Sequence, residues 1–510
     1  MSDGARTVVD TATGKVEGLS EGGLHIFRGI PYAEPPTGER RFTAPVPPQP
    51  WIGVRPATEF GNWAPQPPPA SSISGVAPGA QDEDCLTLNI WTPGADDARR
   101  PVMVWIHGGG FISGSGAAPL YSGAPLAGRG DVVVVTVNYR LGILGFLAHS
   151  DLADDDADGA SGNWGLLDQV AALRWVRDNI AAFGGDPDNV TIFGESAGGM
   201  SVADLLVMPS ARGLFRRAIV QSGPPNAIEL ERAETVTAKL VAELGVASPA
   251  ALRAVPTERL LEAQAALVAE RRAAGLPLVP VVDGTSIPVS PQSAIADGAA
   301  AGVELLIGTN LDEAKMWMVA DPANRDPDEE VLHRRIDAIF RANDVDISPD
   351  DAIDAYRAAR QGRGDDASPR ELWSAIQTDR MFRIGSVRAA EAQGAHASTY
   401  MYLFTATSPA MGGALGSCHA LEIPFALGTY TTPGMDRFAG TGPEVERLSA
   451  QMSDAWLAFA RAGNPAHDGI PAWPAYDAGT RATMVFGVET HVENAPYEDE
   501  RRFWESAASR

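Results

Sequence analysis

With 510 residues, 45% of them hydrophobic and 21% charged, the chain has the make-up of a globular protein long enough to bury an extensive core. Its formal charge of −25 argues against a nucleic-acid partner, which needs clustered Lys and Arg on phosphates. No apolar run reaches the roughly eighteen residues that span a bilayer, so no membrane partner is expected. The two cysteines, Cys85 and Cys418, imply no disulfide framework. The N-terminal MSDGARTVVDTATGKVEG lacks a basic and an apolar leader region, and a cytoplasmic location is expected.

Short alternating stretches near the start, TVVDTATGKVEG and LHIFRGIPYAE, predict strands joined by turns. Pro45–Gly79, rich in Pro, Ala, Ser and Gly, has the composition of a surface loop. Unbroken apolar runs follow. LTLNIWTP, PVMVWIHG, VVVVTVNY and NVTIFGES each predict a strand buried on both faces, as in a parallel sheet. Amphipathic stretches such as GLLDQVAALRWVRDNIAAF lie between or after them, and AIVQSG and VELLIGTN extend the strand series. This alternation predicts an α/β fold with crossover connections.

Between about 321 and 393 the chain turns helical, polar and strand-poor, through HRRIDAIFRAND, DDAIDAYRAARQ and SPRELWSAIQTDRMFRIGSVRAAEAQ. A helical insertion over the active edge of the sheet is expected there. The strand TYMYLFT and helices around Val445–Ala462 and Glu498–Ala507 complete the chain. No linker interrupts it, so residues 1–510 are expected to form a single domain.

Gly194-Glu195-Ser196-Ala197-Gly198 matches G-x-S-x-G. The context sharpens the match, because NVTIF precedes it as a strand and GGMSVADLLVM follows as a helix. Such a turn holds a serine under strain, glycines at 194 and 198 admit close backbone approach, and the helix N-terminus adds positive potential. Ser196 is the candidate nucleophile. After the strand PVMVWI comes His107-Gly108-Gly109-Gly110-Phe111, whose glycines free backbone N–H groups to point at a carbonyl oxygen. Neither a GxGxxG nor a Walker pattern makes it a phosphate loop. Gly109, Gly110 and Ala197 are the candidate oxyanion donors.

A nucleophile elbow calls for an acid and then a histidine further along the chain. His333 lies in a charged helix, His396 just before a strand, His467 in the turn NPAHDG and His491 in the polar ETHVEN. His419 follows the small-residue loop GGALGSC after TYMYLF, at the sheet edge where a general base belongs. VELLIGTN delivers Asp312 and Glu313 to the same edge, and position alone does not separate them.

The runs FRGIPYAEPPTGERRF, EDCLTLNIWTP, VMVWIHGGGF, VNYRLGILGFL, GNWGLLDQVAALRWVRDNIAAFGGDPDNVTIFGESAGG, GTNLDEA and HALEIPF extend in order from about 27 to 425. Their combination resembles the type-B carboxylesterase/cholinesterase family, nearest in style to bacterial para-nitrobenzyl esterases. The resemblance implies an α/β-hydrolase fold, with a mostly parallel sheet between helices, and a serine carboxylesterase working through an acyl-enzyme. It implies Glu313 rather than Asp312 as the acid and supports His419 as the base. It also suggests two structural ion pairs, Arg41 with Glu83 and Arg140 with Asp168.

The chain departs from that family in places. Ala64 stands where many members have the cysteine that pairs with the one at 85, so Cys85 is expected to be a free, buried thiol. The loop that carries a choline-stacking tryptophan in cholinesterases is here the Pro/Ala/Ser/Gly stretch, which argues against choline esters. Ala274 and Leu276 replace acyl-pocket aromatics and imply a roomier acyl side. The expected partner is a small-molecule ester; no metal or cofactor is expected. A carbamate or amide hydrolase with the same triad is the alternative, and a non-catalytic binding relative the less favoured one, since every triad position is filled. A carboxylate beside the histidine base raises its pKa and desolvation lowers it, so kcat/KM is expected to fall below an acid limb at roughly pH 5.5–7.

Overall fold

Val132, Val133, Val134 and Val135 have no solvent exposure, which a strand achieves only with both faces covered. In the computed structural model, which describes residues 6–68, 79–154, 159–270, 275–320 and 327–508, thirteen strands form one sheet. Its central strands, in spatial order, are Val133–Val137, Arg100–Ile106, Gly185–Glu195, Arg217–Gln221, Glu304–Asn310, Thr399–Phe404 and Ala482–Phe486. Every neighbouring pair among them is parallel. Antiparallel strands flank this centre: Thr87–Thr92, Leu24–Pro31, Gly14–Glu21 and Arg6–Thr11 on one side, His491–Asn494 on the other.

Thr87–Thr92 is buried throughout, as its apolar run predicts, yet it pairs antiparallel with both neighbours. An unbroken apolar run encodes burial, not direction. The hairpin of Ala482–Phe486 and His491–Asn494 extends the sheet beyond the strands read from sequence. Its five-residue ATMVF carries too short a pattern to stand out. The helices Leu230–Leu244 and Thr257–Glu270 likewise lie beyond the elements read from sequence.

Side chains alternate between two cores, as the period of a strand requires. Val102 and Val104 join Val170, Leu173 and Val176 of the helix Trp164–Asn179, and Val202 of the helix Ala197–Leu205. Met103 and Trp105 join Trp456 and Phe459 of the helix Pro443–Ala462 on the opposite face. The helices Glu329–Ala342, Pro349–Arg363 and Pro369–Thr378 build a third cluster around Leu332, Ile336, Phe340, Tyr356 and Leu372, closed by Trp504 of the C-terminal helix Glu498–Ala508. Asp328 and Ser348 cap two of these helices by accepting from Val331 N and Asp351 N. The first residues of the predicted insertion, 321–326, lie outside the described residues. Among those described, no helix is long and apolar enough to cross a membrane.

Candidate active site

Ser196 sits between the strand Gly185–Glu195 and the helix Ala197–Leu205 with φ 57° and ψ −125°. A non-glycine residue holds such angles only when its surroundings over-determine them. Here Ser196 N donates to Gln221 O at 2.9 Å, and Met200 N donates to Ser196 O at 2.8 Å. The flanking glycines are needed for contact: a Cβ on Gly198 would lie 2.0 Å from Ile106 O, and one on Gly194 2.5 Å from it.

The glycine loop meets this turn directly. A Cβ on Gly108 would lie 2.6 Å from Glu195 O and 3.0 Å from Ser196 Cβ. Gly109 and Gly110 have φ 115° and 62°, and Gly109 O turns back to accept from Ile112 N, Ser113 N and Ser113 Oγ. Among the described residues, the N–H groups of Gly109, Gly110 and Ala197 have no acceptor. His107 stacks on Tyr139 with centroids 4.5 Å apart, and burial holds its pKa down at about 4. It is a neutral packing group at ordinary pH.

His419 follows the strand Thr399–Phe404 and meets the loop after Glu304–Asn310. Its Nδ1 lies 2.6 Å from Glu313 Oε2, while Glu313 Oε1 accepts from Asn310 N at 2.8 Å. Asp312 turns elsewhere, to Lys315 Nζ at 3.0 Å and Ser417 N at 2.9 Å, and so braces the loop that carries the histidine. The structure thus separates the two acids that position in the sequence leaves equivalent.

The other imidazole nitrogen, Nε2, lies 3.0 Å from Glu195 Oε1. The contact is out of line for a hydrogen bond, so Glu195 Oε1 has no donor among the described residues. Among those residues no hydrogen bond joins Ser196 Oγ to His419. A third buried carboxylate, Glu422, accepts from Asn310 Nδ2 at 2.6 Å and Gln221 Nε2 at 3.1 Å. Burial pushes Glu195 up to about 8 and Glu422 up to about 7. Burial pulls His419 the other way, but Glu195 and Glu313 more than offset it and raise the imidazole to about 9.

Two aromatic rings flank the imidazole: Trp317 at 4.9 Å and Phe382 at 4.8 Å between centroids, stacked on each other at 6.0 Å. Trp317 is 46% exposed, and Leu276, 41% exposed, reaches to within 3.3 Å of where a Gly110 Cβ would be. They give the site an apolar rim. Ala274 and residues 69–78 of the Pro/Ala/Ser/Gly stretch lie outside the described residues.

The remaining candidate histidines are engaged elsewhere: His333 beside Asp350, His396 on Ala296 O, His467 on Gln451 O and His491 beside Glu493. Arg41 pairs with Glu83 through two hydrogen bonds, and Arg140 grips Asp168 at 2.7 and 2.8 Å in full burial. Cys85 and Cys418 are unpaired and buried. Among the described residues no group of His, Cys, Asp or Glu is arranged to hold a metal ion.

Glu195, Glu422, Trp317 and Phe382 are residues of the site beyond those the sequence points to. Glu195 occupies a variable place of the motif, Glu422 lies inside HALEIPF, and Trp317 falls one helical turn beyond Glu313. Phe382 has no sequence signal of its own.

A strained serine between strand and helix, a glycine loop against it and a parallel sheet beneath define an α/β-hydrolase. A model of the carboxylesterase family matches residues 5–504, and the chain belongs to that family and is a carboxylic-ester hydrolase. It is similar to the para-nitrobenzyl esterase of Bacillus subtilis (strain 168), with 41% identity over 97% of this chain and 98% of the relative. It is 40% identical to the phenmedipham hydrolase of Pseudarthrobacter oxydans, over 95% of this chain and 96% of that one. Among solved structures, a Geobacillus stearothermophilus carboxylesterase superposes with a TM-score of 0.86 and 43% identity, covering 98% of this chain and all of the other.

Proposed function

We propose that this esterase works by two-step acyl transfer on a Ser196–His419–Glu313 triad. The observation that carries the reading is the 2.6 Å contact of His419 Nδ1 with Glu313 beside a serine held at φ 57°. The imidazole swings about that contact, bringing Nε2 from Glu195 to Ser196 Oγ. Oγ attacks the ester carbonyl as His419 takes its proton, and Gly109, Gly110 and Ala197 donate to the oxyanion. The C–O bond to the alcohol breaks as His419 returns the proton to the leaving oxygen. Water, activated the same way, releases the acid.

Residues 1–510 act in this reading as one catalytic domain, with the helical insertion of about 321–393 walling the site. The cytoplasm is its setting, in keeping with two buried, unpaired thiols. The rim of Leu276 and Trp317 favours apolar esters. A panel of para-nitrophenyl esters of increasing acyl length, with a matched anilide and carbamate, tests the substrate class. kcat/KM should rise from acetate to hexanoate, with the anilide and carbamate far below. A preference for the carbamate or anilide would overturn the ester reading.

A further inference from the structure

Phe382, which packs against the His419 ring, belongs to a π-helical turn, Asp379–Arg383, inserted between the α-helices Pro369–Thr378 and Ile384–Gly394. Such turns recur at functional sites and persist where their surroundings hold them. A buried polar chain from the end of the sequence holds this one. Asp379 accepts from Arg383 Nε and Nη2 at 2.6 and 2.7 Å, and from the Tyr356 hydroxyl at 2.5 Å. That hydroxyl accepts in turn from Trp504 Nε1 at 2.6 Å. All four side chains are buried. Trp504 lies on the C-terminal helix Glu498–Ala508, far along the chain from His419. Apolar side chains would join these helices as firmly; a fully paired buried network fixes one geometry as well.

We infer that the C-terminal helix positions the general base, with Trp504, Tyr356, Asp379 and Arg383 fixing the π turn and the π turn fixing Phe382 against His419. The inference rests on His419 being the base. None of the four touches the reacting atoms, so they are positioning residues. Loosening the chain widens the range of imidazole orientations and lowers the fraction poised to meet Ser196. Trp317 also stacks on Phe382, but it is carried by a separate helix, Lys315–Ala320, and Leu276 lies against Gly110, so the loss falls chiefly on kcat rather than KM.

Tyr356→Phe removes the bridging hydroxyl and keeps the ring. Its kcat should fall about threefold to thirtyfold, short of the ~10²-fold that an ångström of misplacement costs, with KM within about twofold of native. Trp504→Phe should lower kcat by a similar factor, and the double variant should lose no more than the larger single effect, because both break one chain. If Tyr356→Phe folds poorly, Trp504→Phe carries the test, since it leaves the Tyr356–Asp379 bond in place. A folded variant with native kcat, or one whose loss tracks only its unfolded fraction, overturns the inference. His419→Ala in the same assay separates the two claims. If it keeps native activity, the base assignment fails; if it is inactive while Tyr356→Phe and Trp504→Phe turn over normally, only the positioning role fails.

Discussion

Glu195 Oε1 lies 3.0 Å from His419 Nε2, the nitrogen that a general base must turn towards Ser196. With Glu313 on Nδ1, the imidazole stands between two carboxylates, and a third, Glu422, is buried nearby. Burial disfavours the imidazolium, yet these charges raise it to about 9. Only the neutral imidazole accepts the serine proton, so a raised pKa moves the acid limb of kcat/KM to higher pH. That places it above the range of roughly 5.5–7 expected from sequence, where one neighbouring carboxylate is weighed against desolvation and the further carboxylates are not visible. Activity should climb from pH 6 towards 9. Glu195→Gln keeps the shape and removes one charge, so its limb should move down by at least about one unit towards the ordinary value near 6.5. Profiles of kcat/KM from pH 5 to 10 check this, and an unmoved limb in Glu195→Gln would count against the electrostatic account.

The division of labour between adjacent acids gives a second expectation. Glu313 meets His419, whereas Asp312 braces Ser417 and pairs with Lys315. Glu313→Gln should lower kcat by about 10³–10⁴, in line with the loss on neutralising a triad acid. Asp312→Asn should cost less than about tenfold, because Asp312 braces the loop without touching the imidazole and Glu371 still pairs with Lys315. Steady-state kinetics at matched thermal stability rank the two, and the reverse order would transfer the acid role to Asp312.

Trp317 is 46% exposed at the rim of the site while its ring lies against His419 and Phe382. An aromatic contact of this kind is worth about 0.5–1.5 kcal/mol. Trp317→Ala should therefore raise KM for a phenyl-bearing ester about threefold to tenfold, and leave KM for a small acetate ester nearly unchanged. Equal effects on both esters would mean that Trp317 acts through the histidine instead of through substrate.

What the sequence makes legible follows from how locally each feature is encoded. The elbow and the glycine loop are contiguous, so Gly194–Gly198 and His107–Phe111 can be read directly and are found touching. Glu313 and His419 are 106 residues apart, and only the resemblance singled out Glu313. The central strands are legible because double burial leaves unbroken apolar runs, but the direction of Thr87–Thr92 is set by connections and not by composition. Glu195, Glu422, Trp317 and Phe382 become functional candidates only through tertiary contact. No periodicity marks a carboxylate that faces a histidine across the fold, nor a phenylalanine delivered by a π turn.

The central claim is that Ser196 carries the acyl group. Brief treatment with a para-nitrophenyl phosphonate, followed by intact-mass measurement and peptide mapping, reads the nucleophile directly. The account predicts one adduct per chain, on Ser196, with loss of activity in step with labelling. Ser196→Ala, at unchanged thermal stability, should take up no adduct and lose roughly 10⁴–10⁶ in turnover. An adduct on a different residue, or a folded Ser196→Ala enzyme that still turns over ester at near-native rate, would contradict it.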